Sequence, residues 1–293
     1  MSEARSSDET ASHDSAGSDV RLDQTPSPEL RNLQLVELSI LREFVRLCNA
    51  HGLRYFLAYG TLLGAVRHQG FIPWDDDIDV TMPRDDYDRF AEVCVSELRG
   101  GFRWQSYATE GGYPHWHGKL VKANTVLREA WSEHLQFEQS VYIDVFPLDG
   151  IADRRWEALA QHVLVSILRL RLGADLKRTP AKRLLVRLAK VLPRHTAIQL
   201  AEAMGRRYPT GTSRKWICVG GPYGRRRQAF PGRWFGAGAN LTFENLTLVA
   251  PAEWDSYLSQ LYGDYLTLPP TLDRVGTHGV TELQLEHEEP GAR

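Results

Sequence analysis

Cysteine is scarce in this chain of 293 residues, which contains only three. Cys48, Cys94 and Cys218 lie far apart, are odd in number and form no C-x-x-C pair. This spacing argues against a disulfide framework and against a structural zinc site. We expect three small buried thiols in a protein of a reducing compartment.

Long apolar runs are also missing. No stretch approaches the ~18–20 apolar residues that a membrane-spanning helix needs. The first residues, MSEARSSDETASHDSAGSDV, lack the apolar core of a secretory signal. We therefore expect a cytoplasmic protein, with peripheral contact at the inner face of the membrane as the one membrane association left open.

Large apolar side chains are nearly absent from residues 1–27, and we expect a disordered tail there. The expected folded domain covers residues 28–280 and includes a helical and loop-rich basic region at 151–238. The expected mobile C-terminal tail covers residues 281–293. Because 42% of the residues are hydrophobic, the domain can bury a substantial core.

Negative charge is scarce in one region, although the whole chain has a net charge of −2. Residues 154–227 contain eighteen Lys or Arg against three Asp or Glu, a balance of +15. Such polarity predicts an anionic partner, either a phosphorylated substrate or a membrane surface. Residues 180–192 form a basic amphipathic segment that either covers the sheet or contacts an anionic membrane. The region has no recognisable nucleic-acid module, and we expect no nucleic-acid partner.

Hydrophobic periodicity predicts both helices and strands, and therefore a domain of the α/β (α+β) class. Ser27 and Pro28 are typical of a helix start, and the helical spacing that follows ends at Gly52. The pattern predicts further helices at 61–67, 83–98 and 251–262, and strands at 54–59, 78–82, 102–107 and 140–146. Residues 115–127 are either a strand pair or one bent strand. Residues 211–238 are predicted to be loop, and the prolines at 269–270 to end regular structure.

Four carboxylates in five positions stand out within an apolar setting, at Asp75, Asp76, Asp77 and Asp79. Asp77 and Asp79 project to one side of a strand, and Asp75 joins them if the strand begins early enough. Adjacent carboxylates repel unless a cation lies between them, and hard oxygen ligands suit Mg²⁺ or Mn²⁺. The alternative is an acidic surface turn, which would not need the surrounding apolar side chains.

Two further features complete the predicted site. Gly60 and Thr61 form a turn at a helix N-terminus, where free N–H groups favour a phosphate. Asp144 lies inside an apolar strand, where a charge is costly unless it is paired or bound to metal. If that strand neighbours the strand at 78–82, the three acids Asp77, Asp79 and Asp144 converge. The alternative for Asp144 is an ordinary ion pair or a cap at the strand end.

Three segments, YGTLLGAVRHQGFIPWDDDIDV, YIDVFPLDG and YGDYLTLPP, together resemble the LicD family. This phosphocholine-transferase-like group includes fukutin and fukutin-related protein, and the resemblance implies a nucleotidyltransferase-like fold with a mixed sheet flanked by helices. The resemblance implies metal-dependent transfer of a phosphorylated alcohol, such as phosphocholine or a polyol phosphate. The donor would be a CDP-alcohol, and the acceptor a sugar hydroxyl of a cell-surface glycan or glycolipid, such as lipopolysaccharide.

The resemblance also assigns roles to particular residues. The family's metal ligands fall on Asp77, Asp79 and Asp144, with Gly60 and Thr61 near the donor phosphates. Arg67 and Lys119 are candidates to neutralise phosphate charge, with a surface role as the alternative for each. In the mechanism that we expect, Asp144 is the candidate to accept the proton of the attacking hydroxyl.

Two other functions remain open. The same carboxylates would serve a nucleotidylyltransferase that modifies a small molecule, a protein or RNA. A non-catalytic nucleotide-binding relative with a vestigial site is the other alternative. It is weakened because every acid expected of an active site is present.

Overall fold

The computed structural model describes residues 25–172, 191–276 and 279–285. Most of the predicted N-terminal tail, most of the amphipathic segment at 180–192 and the last eight residues lie outside these ranges. None of the helices in the described ranges is long and apolar enough to cross a membrane.

The described residues form an α/β domain in which helices flank a mixed, curled sheet, so the predicted fold class is confirmed. The helices are α1 (Pro28–His51), α2 (Tyr59–His68), α3 (Arg84–Glu97), α4 (Arg155–Leu172), α5 (Arg194–Arg207), α6 (Arg225–Gln228) and α7 (Trp254–Tyr262). Short 3-10 turns cover Gly232–Trp234 and Thr271–Asp273.

The strands are β1 (Phe56–Leu57), β2 (Asp79–Pro83), β3 (Phe102–Gln105), β4 (Gly118–Lys122), β5 (Val126–Glu129), β6 (Tyr142–Ile151), β7 (Lys215–Ile217), β8 (Ala229–Pro231), β9 (Ala239–Phe243), β10 (Leu246–Ala250) and β11 (Val280–Gln284). The main sheet has the order β1-β2-β6-β4-β3, and β7 and β8 continue it from the far end of β6. The strands β2 and β6 run parallel, and the other pairs are antiparallel. Two smaller ladders join β9 to β10 and β5 to β11.

Helix α1 shows how the sequence signals act locally. The Ser27 hydroxyl accepts a hydrogen bond from the Leu30 amide at 3.1 Å, and Pro28 occupies the first turn. Gly52 ends the helix with a φ of 62°, a left-handed conformation that glycine adopts at little cost. Both predicted ends of this helix are confirmed, and its apolar face, centred on Leu41 and Phe44, is buried in the core.

Three sequence-based expectations differ from the structure. The stretch at 115–127 contains β4 but continues into β5, and these strands pair with different partners. The expected loop at 211–238 contains β7, α6 and β8. Regular structure does not end at the prolines, because residues 280–284, most of them assigned to a mobile tail, pair with β5. In each case a long-range partner strand, which periodicity cannot reveal, organises the segment.

The parallel pair β2 and β6 forms the centre of the sheet. All five residues of β2 and all ten of β6 are buried, as expected for strands covered on both faces. Their register places Asp79 directly beside Asp144. The two central strands therefore carry two buried acidic side chains side by side, with Asp79 7% and Asp144 6% exposed.

Candidate active site

A cavity of about 480 Å³ opens where β2 and β6 begin, and we call it the carboxylate cavity. Asp75, Asp77, Asp79 and Asp144 all line it, and Gly60 lies on its wall. Strand β2 begins at Asp79, so Asp75 and Asp77 precede the strand rather than alternate along it. The predicted convergence of the acids is therefore present, although the turn brings Asp75 and Asp77 into place.

Helix α2 begins at this cavity. Its first turn contains Tyr59, Gly60 and Thr61, whose amides have no acceptor within the helix. A Cβ atom at position 60 would lie 2.7 Å from Asp75 Oδ2, so the close approach of this carboxylate requires glycine. The backbone of Tyr59 has a φ of 43°, an unusual conformation for a bulky residue. The helix start and the acidic turn are thus fitted closely to each other.

Thr61 is buried directly beneath the acidic strand. Its hydroxyl accepts a hydrogen bond from the backbone amide of Asp79 at 2.8 Å. Thr61 is only 2% exposed, and its hydrogen bond fixes the backbone at the start of β2. Contact of Thr61 with donor phosphates remains a prediction.

Asp144 is held by two cationic or hydrogen-bonding neighbours from the segment that contains β4. Its Oδ1 atom lies 2.9 Å from His117 Nε2 and 3.4 Å from Lys119 Nζ. Burial alone would raise the pKa of Asp144, but the charge of Lys119 and the contact with His117 outweigh it, so the pKa is below its ordinary value. The carboxylate is therefore ionised, and His117 Nε2 is the donor.

Lys119 lies behind Asp144 rather than on the cavity wall. Its ammonium group is 3.0 Å from the centre of the Tyr142 ring, and the Tyr142 hydroxyl donates to Glu129 at 2.7 Å. The pKa of Tyr142 is raised well above its ordinary value by burial and by the charges of Asp144 and Glu129. Lys119 thus acts on Asp144, and its contact with substrate phosphate remains a prediction.

Arg67 packs against the third sequence motif. Its Nη1 atom donates to the carbonyl oxygen of Tyr265 at 3.2 Å, and burial together with the nearby Arg274 lowers its pKa. The same motif contributes Tyr262 to the cavity wall. Arg67 connects α2 with this motif, and a role for Arg67 in binding phosphate remains a prediction.

Two histidines that line the cavity were not predicted from the sequence. His115 and His117 line it, and burial and the nearby Lys119 hold the pKa of His115 well below its ordinary range. His115 Nε2 and His117 Nδ1 are buried without a hydrogen-bond partner among the described residues. The signal was available, because the spacing His-x-His-x-Lys puts positions 115, 117 and 119 on one face of an extended segment.

The acidic turn offers oxygen ligands for a divalent cation, and metal binding by the set Asp77, Asp79 and Asp144 remains a prediction. Asp75, Asp76 and Asp77 each offer an oxygen atom, and these three atoms lie within 4.8 Å of one another. Asp79 and Asp144 add two more carboxylates in register on neighbouring strands. Oxygen ligands of this kind suit Mg²⁺ or Mn²⁺, and unpartnered buried imidazole nitrogens are typical of a site that receives a further polar group.

Comparison with known proteins identifies the class of this domain. Residues 52–160, which contain the acidic turn and both central strands, match the family described as "LicD/FKTN/FKRP, nucleotidyltransferase domain". The match begins at the C-cap of α1 and extends into α4. It therefore includes every element that contributes an acid to the carboxylate cavity.

Similarity to individual proteins extends beyond that region. The chain is 30% identical to lipopolysaccharide cholinephosphotransferase LicD of Haemophilus influenzae in an alignment of 263 residues that covers 85% of this chain and 96% of the relative. It is 31% identical to ribitol 5-phosphate transferase FKRP of Mus musculus and of Homo sapiens in an alignment of 120 residues that covers 34% of this chain and 24% of each relative. The chain belongs to the LicD family, and it is a LicD-like transferase.

Proposed function

We propose that this protein transfers a phosphorylated alcohol from a CDP-activated donor to a hydroxyl group of a glycan. The observation that carries the proposal is the pairing of Asp79 with Asp144 at the wall of the carboxylate cavity. The names of the relatives support the reaction, because one is a cholinephosphotransferase and another a ribitol 5-phosphate transferase. Both transfer a substituted phosphate group.

In this proposal Asp77, Asp79 and Asp144 hold Mg²⁺ or Mn²⁺, and Asp75 borders the same site. A divalent cation there supplies positive charge to the pyrophosphate oxygens and to the leaving CMP. The ionised state of Asp144 favours this role, since its pKa is below its ordinary value. The same low pKa makes Asp144 a weak proton acceptor, which counts against its sequence-based assignment as general base.

The chain's own groups would bind and orient the donor. The free amides in the first turn of α2 are suited to an oxygen atom of the donor phosphate. Thr61 fixes Asp79 through its backbone amide, and His117 fixes Asp144 through Oδ1. Tyr262 and Tyr223 line the cavity and would exclude water from the reacting atoms. Positioning and charge neutralisation would supply most of the acceleration.

A reducing, cytoplasmic location is part of the proposal. Cys48, Cys94 and Cys218 are all buried and unpaired. Burial raises the pKa of Cys94 above its ordinary value and that of Cys218 to about 12, so both thiols are protonated and inert near neutral pH. Such a set of thiols suits the compartment in which nucleotide-activated donors are available.

The test is to incubate the protein with Mg²⁺, a glycan preparation and CDP-choline, CDP-ribitol or CDP-glycerol, and to measure CMP release. Asp79→Asn should lower the rate by about 100-fold or more, because it removes one charge from the cation site. Asp85→Asn is the matched control, because Asp85 is exposed on α3 outside the cavity, and its rate should equal that of the wild type.

The products separate the alternatives. Release of CMP with phosphoalcohol bound to the glycan supports the proposal. Transfer of the nucleotide to the acceptor, with the alcohol phosphate released, would identify a nucleotidylyltransferase. Binding of CDP-alcohol without turnover of any donor would identify a non-catalytic relative.

A further inference from the structure

A second cavity, about 1020 Å³ in volume, lies between α4 and the segment that contains β7 and α6. We call it the basic cavity, because six of its lining residues are cationic: Arg155, Arg214, Lys215, Arg225, Arg226 and Arg227. Asp153 is the one acidic residue among those that line it. The balance at its wall is therefore six positive charges against one negative charge.

These positive charges are not neutralised by the part of the chain that the structure describes. No ion pair joins any of the six side chains to a described carboxylate. Arg225 donates to the Ala158 carbonyl at 3.4 Å, and Asp153 Oδ1 accepts from the backbone amide of Arg214 at 3.3 Å. Like charges gathered without partners repel one another, and an anionic ligand would relieve that repulsion.

The elements that present these charges are fixed. Gln260 donates to the carbonyl oxygens of Arg227 and Ala229 at 2.8 and 3.1 Å, which holds α6 and β8 against α7. Gln161, on α4, donates to Gly150 at 2.9 Å and accepts from Ala152 at 3.2 Å, which holds α4 against β6. These hydrogen bonds connect the walls of the basic cavity to the rest of the fold, which reduces the ordering needed when it binds a ligand.

A third, smaller cavity borders both the basic cavity and the carboxylate cavity. It has a volume of about 300 Å³ and shares His162, Gly224 and Arg225 with the basic cavity. It shares Pro222 with the carboxylate cavity. The segment 220–224 is therefore the partition between the acidic and the basic space.

We propose that the basic cavity binds a phosphate group of the acceptor, while the acceptor's hydroxyl group reaches the carboxylate cavity around residues 220–224. The identification of the ligand as the acceptor rests on the proposed function, whereas the binding of phosphate in the basic cavity does not. The donor's phosphates are assigned to the first turn of α2, so the basic cavity is left for the second substrate. The phosphate group is that of a phosphorylated glycan or that of a lipid carrier.

The first experiment is calorimetric titration of the full chain with inorganic pyrophosphate in a chelator, at low and at physiological salt. Chelation removes divalent cations from the carboxylate cavity, whose own charge then repels the probe. We expect binding that weakens with salt, because screening acts on exposed charges. The Arg226→Glu, Arg227→Glu double variant should bind about tenfold more weakly or worse, since attraction becomes repulsion at two sites.

The matched control is Arg42→Glu, Arg89→Glu, which reverses two exposed arginines on α1 and α3. It should bind pyrophosphate as the wild type does. If the charge-reversed variant has a lower melting temperature, Arg226→Gln, Arg227→Gln serves in its place and should still weaken binding. If vesicles also fail to bind, either of two results would overturn the inference. One is that no pyrophosphate binds at low salt, and the other is that all variants bind it equally.

Vesicles distinguish the two sources of phosphate. Co-sedimentation with equimolar phosphatidylglycerol and phosphatidylcholine, but not with phosphatidylcholine alone, assigns the cavity to a lipid-carried phosphate if the double variant abolishes it. Pyrophosphate binding without vesicle binding assigns it to a soluble phosphorylated glycan. If the chain binds phosphate in the basic cavity but releases no CMP from any CDP-alcohol, this inference is supported and the proposed function is wrong.

Discussion

Strand β6 carries two buried aspartates whose surroundings differ. Asp149 accepts hydrogen bonds from Nε and Nη2 of Arg84 at 2.7 and 3.0 Å, so each of its two oxygen atoms has a donor within the core. Asp144 contacts both His117 and Lys119 through one oxygen atom, Oδ1, and it lines the carboxylate cavity. A buried carboxylate paired on both oxygens supports the fold, whereas one that is held on one side and borders a cavity is suited to binding.

The largest effect that would test this difference is the loss of the partner of Asp149. Arg84→Met should lower the free energy of unfolding by about 3–5 kcal/mol, because an uncompensated charge remains buried. Urea denaturation measures it. Adding Asp149→Leu should recover part of the loss, since an apolar pair replaces the ion pair. A loss below about 1 kcal/mol, the range of a surface ion pair, would show that Arg84 and Asp149 do not form the pair described.

The corresponding change at the other aspartate should act mainly on activity. Asp144→Asn keeps an oxygen acceptor for His117 and Lys119, and we expect a loss of stability of about 1–2 kcal/mol. CMP release should fall by about 100-fold or more because a ligand charge is lost. If Asp144→Asn unfolds as readily as Arg84→Met, the distinction between the two aspartates is wrong.

A smaller effect is expected at Thr61, which positions Asp79. Thr61→Val leaves the Asp79 amide without its acceptor and should cost about 1–2 kcal/mol in the free energy of unfolding. Thr61→Ser retains the hydroxyl and is the control. Equal CMP release by the serine and valine variants would separate Thr61 from the positioning of Asp79.

The smallest effect is the pH dependence of stability that Asp144 contributes. Its folded-state pKa is below the unfolded value, so its stabilisation is complete above the unfolded value and is lost as pH falls toward the folded one. The difference in unfolding free energy between the wild type and Asp144→Asn should therefore shrink between about pH 5 and about pH 3. The exposed Asp85→Asn variant should show no such trend. A difference that is constant over this range would contradict the lowered pKa.

Much of the site could be predicted because its signals are local. Gly60, Asp77 and Asp79 lie within one short segment, and the apolar residues around Asp144 mark its strand as buried. Helix ends were predictable where a capping residue is present, as at Ser27 and Gly52. The family relationship, first indicated by three motifs, is confirmed by similarity over most of the chain.

The remaining features depend on contacts between distant segments. The pairing of β11 with β5 joins residues more than a hundred positions apart, and the sequence between them does not specify it. The contact between His117 and Asp144 depends on the pairing of β4 with β6, two strands that are distant in the sequence. The excess of positive charge at residues 154–227 was evident from the sequence. The fold was needed to show which of these residues line a cavity.

The parallel pairing of β2 with β6 also determines when the site can form. Asp79 and Asp144 are 65 positions apart in the chain, and the segment between them forms a loop that the pairing of β2 with β6 closes. Closing such a loop costs entropy before any contact compensates for it, and such pairings form slowly. A chain in which β2 and β6 are not yet paired therefore lacks the carboxylate cavity.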